Sequence, residues 1–145
     1  LGLVALAVLR KPWAARAVLL VLAVLWTWVG WAFLWQRYAQ INWAAQHIAV
    51  AWWLQAALLV AAAWAPVTQR SAQPVGYLGL ALAAAGVLGY AAHGQAFGLM
   101  PGPNALVTLG LLLVLRPRGA AWLCGLPLLA LMAEALTLWM FHTPG

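Results

Sequence analysis

Residues 17–35 read AVLLVLAVLWTWVGWAFLW, an apolar stretch without a charged residue. At 1.5 Å per residue, a helix over this stretch is about 28 Å long, which matches the hydrocarbon thickness of a bilayer. The stretch therefore predicts a helix that crosses a membrane.

The rest of the chain has the same apolar character. Of its 145 residues 68% are hydrophobic and 6% are charged, whereas a soluble domain carries about a quarter charged residues. Glu134 is the one acidic residue, against seven Lys and Arg. These few polar groups are not enough to form the surface of a soluble domain. Residues 1–145 are therefore predicted to form a single transmembrane domain in a lipid bilayer. Basic residues scattered between apolar runs are a topology signal, so we expect no nucleic-acid partner.

Breaks in the apolar pattern divide the chain into about six helices. We interpret residues 1–9 as the end of a first transmembrane helix whose beginning is missing, because so short a run cannot span a bilayer. The other helices are predicted over residues 17–35, 43–65, 75–92, 105–115 and 120–141. The predicted fold class is therefore all-α, a polytopic transmembrane helix bundle.

The basic residues fall in alternate loops. Arg37 lies between the second and third helices. The other six lie in loops that share the opposite side of the bundle: Arg10, Lys11, Arg16, Arg70, Arg116 and Arg118. The positive-inside rule predicts that the loops with Arg10–Arg16, Arg70 and Arg116–Arg118 are cytoplasmic. The eleven tryptophans include several near both predicted boundaries, as expected of aromatic belts.

The fifth helix is short or broken at Pro101–Pro103. From Asn104 to Arg116 a helix covers about 18 Å, less than a bilayer core. Either residues 97–103 enter the membrane in a non-helical form, or the protein is thin here. We expect Pro103 or Asn104 to cap the new helix. Broken helices of this kind form substrate sites in some transporters.

Two features predict close helix packing. Gly79, Gly86 and the alanines between them form a small-residue face on the fourth helix, which favours close approach of a neighbour. Gln55 lies within the third helix, where an amide is expected to make a hydrogen bond between helices.

Polar residues gather towards the outer side of the predicted bundle. Counting helical rise from the loops places Glu134 and His47 in the outer third, near His93 and Asn104. These four residues are the candidates for a ligand pocket. The histidines and Cys124 lack metal-ligand spacing, and one carboxylate excludes two-carboxylate mechanisms, so we predict no metal site, no catalytic residues and no enzyme activity.

Trp28, Trp31 and Trp35 recur at helical spacing on the second helix. Such a stripe is typical of a face that contacts lipid or packs against another helix. The alternative is an aromatic platform for a ring-shaped ligand such as a quinone or a haem. No cofactor is otherwise predicted.

Two segments carry a family resemblance. One is Trp28-Val29-Gly30, followed by Ile41-Asn42-Trp43-Ala44-Ala45 and Gln55; the other is Phe97-Gly98-Leu99-Met100-Pro101-Gly102-Pro103, followed by Thr108-Leu109-Gly110. Both resemble a family of small bacterial integral membrane proteins known only as a domain of unknown function. The resemblance implies a six-helix protein of the bacterial cytoplasmic (inner) membrane and no particular activity. The resemblance also identifies six residues as parts of structural motifs: Gly30, Asn42, Gln55, Gly98, Pro101 and Pro103. Glu134 departs from it, because a small residue is expected there.

The sequence leaves three classes of protein open for the function. The first is a non-catalytic accessory subunit of a larger respiratory or photosynthetic membrane complex, with other membrane subunits as partners. The second is a small permease or binding protein for an uncharged or cationic solute, with Glu134 as charge or proton site, Asn104 as polar cap and His47 as neighbour. The third is a quinone- or haem-binding redox protein. We favour the first, because six short helices leave little room for alternating access.

Overall fold

The computed structural model describes residues 2–8, 11–65, 73–92, 94 and 98–142. These residues form six α-helices in the order α1 (Gly2–Val8), α2 (Pro12–Trp28), α3 (Ala44–Trp64), α4 (Gln73–Ala92), α5 (Pro101–Leu115) and α6 (Ala120–His142). Helix α2 continues into a π-helical segment, Val29–Trp35, and a 3₁₀ turn, Tyr38–Gln40. The predicted all-α class is confirmed. Arg10, Arg70 and His93, named above, lie outside the described residues.

Within the described residues, three helical segments are long and apolar enough to cross a membrane: Pro12–Gln40, Ala44–Trp64 and Ala120–Met140. Two shorter apolar helical stretches accompany them in the described part of the chain: Pro74–Gly89, within α4, and Pro101–Leu115, which is α5. At 1.5 Å per residue the 15 residues of α5 cover about 22 Å, less than the hydrocarbon core, whereas the 20 residues of α4 cover about 30 Å.

Helices α2 and α3 run antiparallel, with the start of one beside the end of the other. Arg16 Nε donates a hydrogen bond of 3.1 Å to the carbonyl of Ala63. Its guanidinium carbon lies 5.9 Å from the ring centre of Trp64. An arginine that keeps its charged end at a helix boundary while its stem lies along apolar surface is typical of a membrane interface.

Helix α5 occupies the interior of the bundle. Its 15 residues confirm the prediction of a short fifth helix. Most are buried, namely Gly102, Pro103, Asn104, Ala105, Val107, Thr108, Gly110, Leu111, Leu112 and Leu115. A helix covered on so many sides is a core element of the bundle and contributes little to the surface that faces lipid.

The start of α5 differs from the prediction. Met100 has extended backbone angles and occupies the capping position, and Pro101 is the first helical residue. Proline suits that position because its fixed φ matches a helix and its missing N–H would have no partner there. The expectation that Pro103 or Asn104 caps the helix was therefore wrong: both lie inside α5, which begins four residues before the predicted 105–115.

Helices α4 and α5 approach to backbone contact. A Cβ atom built on Gly79 would lie 2.5 Å from the carbonyl oxygen of Gly110. One built on Gly110 would lie 2.5 Å from the backbone nitrogen of Ala83, and one on Gly86 2.7 Å from Val107 Cγ2. These contacts confirm the predicted small-residue face and explain how α5 becomes buried.

The chain enters α5 from beside the middle of the α2 segment. Gly98 has φ +84°, in the left-handed region where glycine is favoured. A Cβ on Gly98 would lie 3.0 Å from Leu25 Cδ2. Since Leu25 lies near the centre of Pro12–Gln40, α5 begins within the depth of the longest apolar helix.

Substituting Gly79 tests the α4–α5 contact. We expect Gly79→Ala to lower the free energy of unfolding by about 1–3 kcal/mol, because backbone atoms must move apart. Gly89→Ala, on the same helix, meets nothing within 4 Å and is the matched control. Its expected effect is neutral or up to about 1 kcal/mol stabilising, from helix propensity. Unfolding in mixed micelles followed by circular dichroism measures both, and equal stability of the two variants would contradict the packing argument.

Candidate functional site

Five polar or aromatic side chains of α2, α3 and α5 are buried in the bundle interior. We call them the interior polar cluster: Trp26, Trp52, Gln55, Asn104 and Thr108. Gln55, Asn104 and Thr108 are 0% exposed and are the buried polar residues of the described part of the chain. Buried polar side chains are expensive in a membrane bundle and indicate a functional site.

A chain of hydrogen bonds links α2 to α5. Trp26 Nε1 donates to Thr108 Oγ1 at 2.8 Å. Thr108 Oγ1 in turn donates to the carbonyl oxygen of Asn104 at 2.7 Å. The Thr108 hydroxyl therefore donates its only hydrogen to a backbone carbonyl and cannot also donate to the Asn104 side chain.

Helix α3 supplies the other two members of the cluster. The rings of Trp26 and Trp52 are tilted by 38° with centres 4.7 Å apart. Gln55 follows Trp52 by three residues and lies on the same helix face. Its Nε2 donates to the carbonyl of Leu123 in α6 at 2.8 Å, which confirms the predicted hydrogen bond between helices.

Four buried polar atoms of the cluster have no hydrogen-bond partner within the described protein. They are Asn104 Nδ2, Asn104 Oδ1, Trp52 Nε1 and Gln55 Oε1. Each such atom costs about 1–3 kcal/mol by mutational measurement, and more where neither water nor protein can reach it. Asn104 is the extreme case, because both ends of one amide are left unsatisfied.

The π-helical segment packs closely against α3 beside the cluster. The N–H of Gln36 donates to the carbonyl of Trp31, five residues earlier, at 3.0 Å. Within this segment a Cβ on Gly30 would lie 3.0 Å from Trp53 Nε1 and 3.1 Å from Trp52 Cβ. Gly30 thus lets Trp52 pack directly beneath the widened turn. Single π-turns inside α-helices occur frequently at functional sites.

Glu134 lies against the start of α5. A Cβ built on Gly102 would overlap both carboxylate oxygens of Glu134, so the carboxylate rests on the Gly102 backbone. Pro101 and Pro103 lack an N–H, which leaves Gly102 as the only N–H donor among the first three residues of the helix. An acidic group near a helix N-terminus is stabilised by the helix dipole. Glu134 therefore joins α6 to the beginning of α5.

Asn104 and Glu134 contact different sides of α5. Residues two positions apart project about 200° apart around a helix, so Asn104 faces away from Gly102 and its carboxylate neighbour. Asn104 instead shares a face with Thr108, one turn later, towards Trp26. The structure places these two predicted pocket residues on the same helix end, on opposite faces.

The remaining predicted pocket residues lie elsewhere. His47 is exposed on α3, and its ring meets Trp43 edge-on with centres 5.8 Å apart. Asn42 Oδ1 accepts a hydrogen bond of 3.0 Å from the N–H of Ala44, at the start of α3. His93 lies outside the described residues. Among the residues that are described, no group of three His, Cys, Asp or Glu side chains could hold a metal ion.

The three tryptophans of the predicted aromatic platform divide into two environments. Trp28 and Trp31 are 48% and 46% exposed, with ring centres 5.9 Å apart. They border an open apolar groove of about 410 Å³ that Val60 of α3 also lines. Trp35 instead pairs with Trp53 at 5.5 Å. The π-helical segment begins between Trp28 and Trp31 and interrupts the regular α-helical spacing from which one platform was predicted.

The cluster residues Trp26 and Trp52 were missed by the sequence analysis. Nothing in the sequence separates them from the other nine of the eleven tryptophans. Thr108 had a signal, because it lies four residues after Asn104 and belongs to the second motif segment. Gly102 lay in the quoted motif, but its neighbour Glu134 is far away in sequence.

These observations define an all-helical protein whose long helices are able to span a membrane and whose interior holds an uncharged polar cluster. The chain belongs to the family described as a family of unknown function (DUF6064), which matches residues 1–141. The resemblance stated above is thereby confirmed. No curated protein and no solved structure matches the chain.

Replacing Thr108 tests the cluster as a structural unit. Thr108→Val keeps the side-chain shape but removes both hydrogen bonds, so we expect a loss of about 1–2 kcal/mol of unfolding free energy. Thr137→Val is the matched control, because Thr137 makes the same bond to the carbonyl four residues earlier on an exposed face. A double-mutant cycle with Trp26→Phe should give a coupling energy of about 0.6 kcal/mol. Additive effects would show that the two side chains do not interact.

Proposed function

We propose that this protein is a small permease or solute-binding protein of the membrane, with the interior polar cluster as its ligand site. The observation that carries the proposal is the Asn104 side chain, fully buried with both amide atoms unpaired. Buried polar groups in native proteins nearly always have partners, and exceptions indicate a bound molecule or a functional role.

The position of the cluster supports the same function. Asn104 lies near the start of a helix that begins beside the middle of the α2 segment, where lipid-exposed irregular backbone is not tolerated. Interrupted helices that begin at membrane depth form the solute sites of several transporter folds. Helix α3 contributes two further buried atoms without a partner, Trp52 Nε1 and Gln55 Oε1.

The substitution Asn104→Leu distinguishes a role of Asn104 in solute binding from a role in stability. Leucine removes the amide at similar volume, so we expect unchanged or higher thermal stability. In proteoliposomes we expect about a tenfold loss of solute uptake, the equivalent of one hydrogen bond of about 1.4 kcal/mol. The measurement is uptake or binding of a panel of neutral and cationic small solutes. Gln46→Leu, which removes an exposed amide of α3, is the control. If the wild type neither takes up nor binds any member of the panel, the proposal fails.

A second candidate is an accessory subunit of a larger respiratory or photosynthetic complex. Helix α6 supports it, because 11% of its most apolar stretch is buried, against 44% and 39% for the α2 and α3 segments. Large apolar side chains remain exposed along its length: Trp122, Leu128, Leu129, Met132, Leu136 and Trp139. This face offers an extended surface for other membrane subunits.

Purification from native membranes in mild detergent tests the second candidate. A subunit should elute with a stoichiometric set of membrane proteins, and a photo-crosslinker at Leu129 should capture one of them. The same crosslinker at Val24, exposed on α2, is the control. A chain that elutes alone without crosslinks rules this candidate out. The absorption spectrum of the same sample tests for a bound quinone or haem near Trp28 and Trp31.

Both candidates place the protein in the bacterial cytoplasmic membrane, with the loops containing Arg10–Arg16, Arg70 and Arg116–Arg118 inside. The asymmetry of the basic residues supports this orientation. In a Cys124→Ser background, an impermeant maleimide applied to intact spheroplasts should label Gln40→Cys and not Arg118→Cys. The reverse labelling would invert the orientation.

A further inference from the structure

The open apolar groove between α2 and α3 has the length of one membrane leaflet. Leu20 is the first residue of the α2 segment that lines it and Trp31 is the last, and Val60 lines it from α3. By helical rise these eleven steps along α2 cover about 16 Å. Half of a hydrocarbon core about 30 Å thick is nearly the same length. The groove therefore fits an acyl chain that lies along the protein within one leaflet.

Arg16 lies at one end of this groove. It precedes Leu20 by four residues, so both side chains lie on the same face of α2, one turn apart. Val60 and Trp64 have the same spacing on α3. The guanidinium carbon of Arg16 lies 5.9 Å from the ring centre of Trp64. The two faces that line the groove thus continue to an arginine and a tryptophan at the helix boundary.

The Arg16 guanidinium is held in position and is still exposed. Its Nε donates a hydrogen bond of 3.1 Å to the carbonyl of Ala63. That bond uses one of the five N–H groups of a guanidinium, and the other four are on its two Nη atoms. The residue as a whole is exposed, as is Trp64 beside it. A planar guanidinium binds phosphate oxygens through paired hydrogen bonds, so Arg16 is positioned for a lipid phosphate.

The charge near Arg16 favours an anionic headgroup over a zwitterionic one. Lys11 is exposed at the start of α2, five residues before Arg16. The chain has one acidic residue, Glu134, and its carboxylate contacts Gly102 at the beginning of α5. A zwitterionic headgroup would bring an ammonium group close to Lys11 and Arg16. Basic sites between transmembrane helices bind anionic lipid headgroups by this chemistry.

We propose that the groove binds one anionic phospholipid, with its phosphate on Arg16 and an acyl chain along α2 from Leu20 to Trp31. The half-exposed rings of Trp28 and Trp31 then border the far part of that chain. The proposal is independent of the solute function, because no residue that lines the groove belongs to the interior polar cluster.

Native mass spectrometry of the delipidated protein tests the headgroup. The probes are phosphatidylglycerol and phosphatidylcholine with identical acyl chains, added to the protein in micelles. We expect the wild type to bind one phosphatidylglycerol about tenfold more tightly than phosphatidylcholine. Arg16→Gln should remove this preference, and Arg16→Lys, which keeps the charge, should retain most of it. Arg37→Gln, exposed towards the other end of Pro12–Gln40, is the control and should bind as the wild type does.

Filling the groove tests the place of the acyl chain. Val24 is exposed and lines the groove, so Val24→Trp puts a large ring where the chain would lie. Val21 is also exposed on α2 but does not line the groove, which makes Val21→Trp the matched control. We expect Val24→Trp to weaken the binding of both lipids about tenfold, because the chain loses its contacts, and Val21→Trp to leave it unchanged.

Four results would overturn the proposal. The first is equal affinity of the wild type for the two lipids. The second is a loss with Arg16→Lys as complete as with Arg16→Gln, which would show that Arg16 acts only through its bond to Ala63. The third is full competition by glycerol phosphate, which would indicate a phosphate site without an acyl chain. The fourth is a quinone or haem that the wild type retains and Val24→Trp loses, without any bound phospholipid.

Discussion

Backbone contact between α4 and α5 makes the rest of this structure possible. Helix α5 is too short to span a bilayer and carries an asparagine and a threonine, so it needs protein around it. Gly79, Gly86 and Gly110 remove the side chains that would keep α4 at an ordinary helix distance. In a membrane, where lipid is as apolar as leucine, such close contact rather than the hydrophobic effect holds helices together.

The burial of α5 has a consequence for its polar side chains. Thr108 satisfies its own hydrogen and the N–H of Trp26, so that link between α2 and α5 is complete. Asn104 lies one helical turn from Thr108 in the same interior, and neither its Nδ2 nor its Oδ1 has a hydrogen-bond partner in the described protein. A half-satisfied polar network is less stable than an apolar core of the same shape. The incomplete pairing of Asn104 in this buried helix is the observation that supports the proposed ligand site.

Much of the fold was predictable from residue patterns. Apolar runs located α3, α4 and α6 within about two residues, since a bilayer requires about 20 apolar residues per crossing. Helix α2 begins at Pro12, before the predicted run 17–35, and continues to Trp35 as the π-helical segment. Gly79 and Gly86 predicted a packing face, and Gln55 predicted a hydrogen bond between helices. The beginning of α5 was not placed correctly. The prolines at 101 and 103 read as a break, whereas the first of them opens the helix and Met100 precedes it as the cap.

By itself the sequence determined the class of protein: one acidic residue and a 68% hydrophobic composition exclude a soluble domain, and long apolar runs predict helices that cross a membrane. The contents of the interior were decided by tertiary structure. Trp26 and Thr108 are 82 residues apart in the chain, and the ring contact between Trp26 and Trp52 joins two different helices, α2 and α3. Tertiary structure also put Glu134 and Asn104 on opposite faces of α5. Depth along the membrane normal follows from counting residues, but rotation about each helix axis follows only from which neighbours pack against it.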